Sequence, residues 1–328
     1  MGKTMPFSLG RLKEIARRQD PPRWGPHYEP AIRAVREEAP SESRFSQVWS
    51  RRLERYCHAL STPEQSALLL ALLHPKLFEL QEQRILHPSP RSHPLAGHSS
   101  AVGMELPPFC GTVQVCKRLD MLDRHSWAWI DSDDGLERLP VPIPFIGDFL
   151  LFLRDELGPY CVNWTVKATD DGFIRRMSRS GPPKDPVADE RAERSRHAIE
   201  ERYYADAGIS TVRVTQSSMP RTFVSNLLSL LLMQHRHAEL QPSAYWQLCE
   251  QLQASTTTGQ PPFEIVLSIV HRHNLPMEEV RSAFATALLV GDVQADLMDG
   301  PVLIDIPLHP RRRDPWQVLA PLFQRPAA

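Results

Sequence analysis

The residues best suited to chemistry are Asp148 and Lys167, an acid and a base carried by two neighbouring segments. Residues 149–153 follow the acid as an unbroken apolar run, and residues 160–167 form a β-rich segment that ends in the lysine. A Gly-Pro pair at residues 158–159 separates the two segments, which predicts a β-hairpin. Such a hairpin places a carboxylate beside an ammonium group. A carboxylate binds hard divalent cations, and an ammonium group neutralises charge that develops on a reacting phosphate.

Metal-dependent nucleases of the PD-(D/E)xK class pair an acid with a lysine across a hairpin in this way. Each residue also has a structural interpretation, since Asp148 suits a turn and Lys167 suits an exposed strand end. Residues 61–65 (Ser-Thr-Pro-Glu-Gln) add a helix start with a hydroxyl cap and a proline in the first turn. Glu64 in that turn interacts favourably with the helix dipole. From this segment alone, capping is favoured over catalysis.

Composition limits the classes of protein to which the chain can belong. Its 38 basic and 39 acidic side chains nearly cancel, which argues against coating DNA by bulk charge but permits a local basic cleft. The five cysteines are scattered and form no CxxC pair, so neither a zinc site nor a disulfide framework is indicated. The first twenty residues contain no signal-like apolar core, and residues 227–233 are too short an apolar run to cross a bilayer. We expect a soluble, cytoplasmic protein without a membrane partner.

Breaks in the pattern divide the chain into four parts. We predict an N-terminal arm (1–40), a catalytic domain (41–220), a C-terminal domain (221–310) and a tail (311–328). Within the second part, a helix at 64–73, strands at 76–86 and 209–216, and a helix at 189–207 accompany the hairpin. Residues 111–120 and 126–130 are predicted as the strands of a second hairpin. This order indicates a mixed α/β layer arrangement.

Two basic segments are candidates for contact with DNA phosphates. Residues 44–60 combine four arginines with aromatic side chains, and we predict an amphipathic helix whose basic face is either solvated or, through Arg51 and Arg52, bound to phosphate. Residues 168–195 form a polar loop that we expect to be mobile. Its Arg175, Arg176 and Arg179 are well placed to clamp a phosphate backbone if the hairpin is a nuclease site.

The C-terminal domain is predicted to be helical. Helices are expected at 222–235, 243–253 and 263–273, with a fourth starting near residue 276. A β-hairpin is then expected, with strands at 293–297 and 302–306, and this succession is typical of a winged helix. A winged helix can bind DNA. The acids Glu278 and Glu279 and the sparse positive charge favour a protein partner instead.

Taken in order, these segments resemble the TnsA family, the transposon-end endonuclease subunit of heteromeric transposases. The resemblance covers roughly residues 25–220, with the C-terminal part similar to the family's winged-helix half. It depends on the order of short motifs, each weak alone. The motifs are Gly25–Pro30, Leu60-Ser61-Thr62-Pro63-Glu64 (family L-S-x-x-E), residues 74–83 (N-P-x-V-x-D-I-R-E-Q), Gly147-Asp148-Phe149-Leu150 (T-D-F-L), Thr165-Val166-Lys167 (Q-V-K), residues 199–204 (I-E-x-R-Y-W), Gly208-Ile209 and Val214-Thr215.

The resemblance implies a restriction-endonuclease-like mixed sheet flanked by helices, followed by an α-helical winged-helix-like domain. It assigns Glu64, Asp148 and Lys167 as the catalytic set. Mg²⁺, for which Mn²⁺ would substitute, is expected to bind Glu64, Asp148, the Val166 carbonyl and the Thr165 hydroxyl. The implied reaction is hydrolysis of the non-transferred DNA strand at the 5′ transposon ends. The implied partners are transposon-end DNA, a TnsB-like DDE transposase and a TnsC-like AAA+ ATPase.

The chain departs from the family pattern in two places. Residues 87–145 do not follow it, and Thr165 stands where the class has Asp, Glu or Gln. A hydroxyl is a poorer ligand for a hard cation than a carboxylate. Three alternatives therefore stay open: a catalytically weakened scaffold that bridges transposase and ATPase, a winged-helix DNA-binding regulator, and a restriction or repair nuclease.

Overall fold

The computed structural model describes residues 9–131, 138–175, 185–234 and 239–326 of the chain. The chain divides into two compact units. The first unit comprises residues 1–72, 76–217 and 323–328, and the second comprises residues 73–75 and 218–322. The boundary predicted from sequence lies between residues 220 and 221, and the prediction treats the arm and the tail as separate parts.

The first unit is a mixed α/β structure. Its central sheet has the strand order β3-β6-β7-β8, in which β7 and β8 are parallel and the other neighbours antiparallel. Two further hairpins pair β1 with β2 and β4 with β5. The elements are α1 (Leu9–Gln19), β1 (Ser46–Ser50), β2 (Arg55–Ala59), α2 (Thr62–Leu73), β3 (Leu77–Leu86), α3 (Thr112–Arg118), β4 (Trp127–Asp131), β5 (Arg138–Pro142), β6 (Phe145–Asp155), β7 (Gly158–Lys167), α4 (Pro186–Ala205) and β8 (Ser210–Thr215).

The predicted central hairpin is confirmed, with β6 paired to β7 in antiparallel register. Gly158 opens β7 at φ 104°, a backbone angle that side-chain-bearing residues rarely adopt. The strands predicted at 76–86 and 209–216 are β3 and β8, and the helices predicted at 64–73 and 189–207 are α2 and α4. The main layers of the first unit therefore follow from apolar periodicity and turn chemistry.

Helix α4 covers one face of the sheet. The side chain of Asp185 caps its first turn by accepting hydrogen bonds from the Val187 and Ala188 amides. Ile199, Tyr203 and Tyr204 of this helix are about 1% exposed and share a core cluster with Leu150 and Phe152 of β6. Burying this apolar face sets the position of α4 over the strands that carry Asp148 and Lys167.

Two secondary-structure predictions in the first unit are wrong. Residues 44–60 form the β1–β2 hairpin instead of a helix, because burial alternates along the strands and Arg55 turns inward. Residues 111–120 contain helix α3 instead of a strand, since Thr112, Val115 and Cys116 recur at helical spacing and are buried together. Strand β4 pairs with β5, which follows it in the chain after residues 132–137. Residues 132–137 lie outside the described part.

The second unit is helical, with α5 (Arg221–Met233), α6 (Pro242–Thr258), α7 (Pro262–His273), α8 (Met277–Val290) and the short α9 (Pro315–Val318). The four predicted helices are confirmed as α5 to α8. The strands predicted at 293–297 and 302–306 are wrong: within the described part, this segment forms only one isolated bridge, between Ala295 and Pro310. The buried amide of Asn226 binds the carbonyls of Leu297 and Gly300 at 2.8 Å and accepts the Val302 amide at 2.9 Å. These backbone groups are thereby satisfied without a strand partner.

A buried ion pair joins the β1–β2 hairpin to the central sheet. Arg55 forms a bidentate contact with Glu82 of β3, at 2.7 and 2.8 Å, and Glu82 is 0% exposed. Glu82 also accepts the His58 amide at 3.0 Å. Removing one partner of a buried pair leaves an uncompensated charge, which is strongly destabilising.

We predict that Glu82→Gln lowers the free energy of unfolding by about 3 kcal/mol, because the buried Arg55 guanidinium then keeps the more distant Glu79, at 3.9 Å, as its counter-charge. Urea denaturation of the full chain measures the loss. Glu190→Gln is the matched control, since Glu190 pairs with Arg194 on the exposed side of α4 and should change stability by less than about 1 kcal/mol. Equal effects of the two substitutions would contradict the structural role of Arg55 and Glu82.

Candidate functional site

Glu64 lies in the first turn of α2 and is 9% exposed. Its Oε2 accepts the Leu60 amide at 2.9 Å, while its Oε1 accepts the Ser61 hydroxyl at 2.8 Å. The Glu64 amide in turn donates to the Ser61 hydroxyl at 3.3 Å. This is a reciprocal capping box. It fixes the carboxylate at the helix start, so the capping role expected from sequence also determines where the acid lies.

Gln83 of β3 holds the same carboxylate from the sheet side. Its Nε2 donates to Glu64 Oε2 at 3.1 Å, and the side chain is 4% exposed. The backbone of Gln83 adopts φ 48°, which is uncommon for a residue with a side chain. Its carbonyl accepts the Ala31 amide at 3.0 Å. Gln83 lies between the register pairs Glu82–Phe149 and Arg84–Gly147, level with Asp148 on the neighbouring strand.

Asp148 lies near the start of β6, and Val166 lies near the end of β7. The Val166 amide donates to Asp148 Oδ2 at 2.7 Å, which fixes the carboxylate against the neighbouring strand. Gly147, directly before Asp148, packs closely on α4. A Cβ at this position would lie 3.4 Å from Glu200 Oε1 and 3.3 Å from a Leu86 methyl group. The absence of a side chain at 147 therefore allows the close approach of α4 to β6.

Lys167 ends β7 and is half-buried. Its ammonium group makes no hydrogen bond or ion pair with the described residues. The chain then folds back in a 3-10 turn, Asp170–Phe173, where a Cβ at Gly172 would lie 3.0 Å from Lys167 Cβ. Phe173 packs edge-on against the buried His197 of α4. Burial, followed by the positive charge of Lys167, lowers the pKa of His197 to about 3, so this imidazole is neutral at physiological pH.

Thr165 is buried and its hydroxyl donates to Glu200 Oε1 at 3.0 Å. Asn163, two residues earlier on β7, donates to the same oxygen at 3.0 Å. Burial and the nearby Asp148 charge raise the pKa of Glu200. The hydroxyl predicted as a metal ligand is therefore engaged in holding α4 to the sheet, beside the expected metal position.

The structure brings Glu64, Asp148 and Lys167 into one electrostatic neighbourhood. Burial, followed by the negative charge of Asp148, raises the pKa of Glu64 to about 7, while hydrogen bonds and the charge of Lys167 act in the opposite direction. Two carboxylates that repel each other in a buried site are stabilised by a cation. Carboxylate and carbonyl oxygens are the donors that Mg²⁺ prefers. Glu64 and Asp148 thus supply oxygen donors of the kind that a hard divalent cation binds.

Arg52 and Arg175, two of the arginines predicted to bind DNA, contact other parts of the protein. Arg51 and Arg52 are in the turn between β1 and β2, where Arg52 donates to the Leu77 carbonyl at 2.6 Å. Arg175 pairs with Asp171 at 2.8 Å. Arg176 and Arg179 lie outside the described residues.

Three residues of the site had no assigned role in the sequence analysis: Gln83, His197 and Glu200. Gln83 and Glu200 do belong to motifs that carry the TnsA resemblance, namely residues 74–83 and 199–204. Their positions inside those motifs are the sequence signal that could have pointed to them as site residues. Their contacts join residues 19 and 35 positions apart in the chain, so sequence spacing alone does not predict them.

No protein-family model matches the chain, and no curated protein matches it significantly. Among the described residues, no three His, Cys, Asp or Glu side chains come together as an ion-binding group. Within the same part of the chain, no helix is long and apolar enough to cross a membrane. The geometry around Glu64 and Asp148 is therefore the basis for assigning a function.

We predict that Glu64→Gln stabilises the metal-free protein at pH 8. Between its ordinary pKa of 4.5 and about 7, Glu64 is protonated in the folded protein and ionised in the unfolded chain. The folded state then binds the extra proton, so stability falls as the pH rises through this window. In EDTA, the variant should have a higher Tm than wild type at pH 8, and the difference should shrink at pH 5. Added Mn²⁺ at pH 8 should raise the Tm of wild type alone.

Glu264→Gln is the matched control, because Glu264 also lies in the first turn of a helix but is exposed. It should leave the pH dependence of the Tm unchanged. Parallel Tm profiles of Glu64→Gln and wild type across this pH range would contradict the raised pKa of Glu64 and its repulsion by Asp148.

Proposed function

We propose that the chain is a metal-dependent DNA endonuclease, acting as the strand-cleaving subunit of a Tns-type transposase. The observation that carries the proposal is the meeting of an acid from a helix start, an acid from one hairpin strand and a lysine from the next. Glu64, Asp148 and Lys167 are separated by up to 103 positions in sequence, yet the carboxyl of Glu64 experiences the charge of both others. The mixed sheet flanked by helices is compatible with a restriction-endonuclease-like fold.

Glu64, Asp148 and the Val166 carbonyl are the groups that would hold Mg²⁺ or Mn²⁺. When bound, such an ion polarises a phosphoryl oxygen and lowers the pKa of a bound water. Only two of these ligands are carboxylates, which leaves room for water and DNA oxygens, as Mg²⁺ requires. Capping by Ser61 and the amide of Gln83 pre-position Glu64, and the Val166 amide pre-positions Asp148.

Lys167 supplies the remaining chemistry. Its ammonium group has no partner among the described residues and is available to orient the attacking water or to neutralise charge on the phosphate in the transition state. The packing of Gly172 against its stem restricts the side chain before DNA binds. In the proposed reaction, water attacks phosphorus and the bond to the 3′ oxygen breaks, leaving a 3′ hydroxyl and a 5′ phosphate.

The partners follow from the same proposal. A TnsB-like DDE transposase joins the other strand, the 5′ transposon ends are the substrate, and a TnsC-like AAA+ ATPase docks on the second unit. The proposed winged-helix relationship of that unit involves α5 to α8, with the segment after α8 in the place of a wing. The adjacent acids Glu278 and Glu279 at the start of α8 favour a protein partner over DNA for this unit.

We predict that Lys167→Ala lowers strand cleavage by about 10²–10⁴-fold, the range for loss of a group that moves or holds a proton. The assay combines the full chain with the TnsB-like transposase and the TnsC-like ATPase on DNA that carries the transposon end. The cleaved strand is mapped on a sequencing gel. Circular dichroism and pull-down of the partners should be unchanged.

Lys117→Ala, at the exposed end of α3, is the matched control and should cleave like wild type. Undiminished cleavage by Lys167→Ala would remove Lys167 from the mechanism. Cleavage that is independent of the transposase and of the transposon end would instead favour a restriction or repair nuclease.

A second candidate function is a scaffold of the same fold that has lost most of its activity. It is favoured by the hydrogen bond from Thr165 to Glu200, because the hydroxyl at this position is committed to a structural contact. Such a protein would bridge the transposase and the ATPase without cutting DNA.

Metal binding distinguishes the two candidates. We predict that isothermal titration detects Mn²⁺ binding by wild type, and that Asp148→Asn weakens it by about tenfold or more, since even outer-sphere changes have effects of that size. Asp155→Asn is the control, because Asp155 lies at the far end of β6 and pairs with Arg325. Absence of Mn²⁺ binding by wild type, with partner binding retained, would favour the scaffold.

A further inference from the structure

Two arginines lie beside the start of β6, immediately before Asp148. Arg196 of α4 donates through Nη2 to the Ile146 carbonyl at 3.2 Å. Arg84 of β3 is the register partner of Gly147. Both side chains are half-buried. The guanidinium of Arg196 and the backbone of Arg84 therefore lie beside the short segment that leads into the proposed catalytic acid.

Neither guanidinium forms an ion pair with a described carboxylate, although the charge of Arg196 acts on Glu200 and opposes the rise of its pKa. Among the described residues, no acid lies within ion-pair distance of Arg84 or Arg196, and Arg84 bonds only the side chain of Gln81. Other arginines nearby are paired: Arg194 with Glu190 and Arg202 with Asp206, both on α4. Arg213 of β8 is likewise paired with Glu201. Arg84 and Arg196 thus differ from these arginines in forming no direct ion pair with a described acid.

Arg196 belongs to the same neighbourhood as the proposed catalytic lysine, since the charges of both act on His197. His197 follows Arg196 on α4 and packs on Phe173, whose neighbour Gly172 lies against the stem of Lys167. On the other side, Arg196 is one helical turn from Glu200, which binds Thr165. Arg196 thus lies on the stretch of α4 that spans the ends of β6 and β7, where Asp148 and Lys167 are located.

We propose that Arg196 and Arg84 bind a phosphate of the DNA backbone adjacent to the scissile phosphate, and so hold the strand over Asp148. Each guanidinium has five N–H donors in a planar fork, and each uses few of them within the protein. Arginine binds phosphate oxygens in bidentate fashion. The inference rests on the proposed function only for the identity of the ligand, a nucleic-acid phosphate. It assigns this role to residues on the sheet and α4 instead of the loop arginines expected from sequence.

The test is the salt dependence of DNA binding. The full chain, in EDTA so that no cleavage occurs, is titrated by fluorescence anisotropy against a short fluorescein-labelled DNA duplex of mixed sequence at increasing KCl. Each phosphate contact adds about 0.9 to the slope of log K against log salt. Arg196→Gln removes the positive charge and keeps a shorter polar side chain. Its slope should fall by about 0.9, and that of the double variant with Arg84→Gln by about twice as much.

Arg194→Gln is the matched control, because Arg194 is on the same helix but exposed and paired with Glu190. It should leave the slope unchanged. A slope for Arg196→Gln equal to that of Arg194→Gln would overturn the phosphate-binding role even if wild type cleaves DNA. A reduced slope together with absent Mn²⁺ binding by wild type would support the phosphate site and remove the nuclease. No binding of the duplex by wild type would overturn both.

Discussion

The site depends on the repulsion between two acids that the fold keeps close together in a poorly solvated place. Glu64 is held from three sides, by the Leu60 amide, the Ser61 hydroxyl and the Gln83 amide, so it cannot move away from Asp148 without losing hydrogen bonds. The negative charge of Asp148 adds to burial in raising the pKa of Glu64. A protein that only needed a helix cap would gain more stability from an acid that is free of this repulsion. The arrangement becomes favourable when a cation neutralises both carboxylates.

The N-terminal arm and β3 also help to hold Glu64 in place, through Gln83. The Ala31 amide binds the Gln83 carbonyl, and the Gly25 amide binds the carboxylate of Glu79, so the arm is attached along β3. A non-glycine residue with positive φ costs roughly 1–3 kcal/mol and persists only where its surroundings determine it. Gln83 is such a residue, and it is the one whose side chain reaches Glu64. Backbone strain and the proposed chemistry therefore coincide at one position of the sheet.

The sequence predicted most of the layers and singled out Glu64, Asp148 and Lys167, and the charges of the latter two act on Glu64. It did not predict how these residues are held. The central hairpin and the start of α2 have strong local signals, a Gly-Pro turn and a capping box, and the structure has both. Residues 44–60 gave a misleading signal, because Arg55 looks like a solvated helical arginine until its buried partner Glu82 is known. The strands predicted at 293–297 and 302–306 are wrong for a similar reason. Asn226, over 70 positions away, forms hydrogen bonds with backbone groups that a strand partner would have bonded. Long-range polar contacts decided these cases, and local pattern does not encode them.

The difference between local pattern and long-range contacts also explains why the arginines expected from sequence to bind DNA are not the ones that we propose from the structure. Counting basic side chains selects residues such as Arg175, yet an exposed arginine with a nearby acid is already neutralised, as Arg175 is by Asp171. Affinity for a phosphate depends on uncompensated positive charge at a defined position. Arg196 forms no ion pair with a described acid, while Glu200, four residues along α4, accepts hydrogen bonds from Thr165 and Asn163. The Thr165 hydroxyl, a poorer metal ligand than a carboxylate, thus donates to Glu200. Arg196 is left without a direct ion pair beside the segment that leads into Asp148.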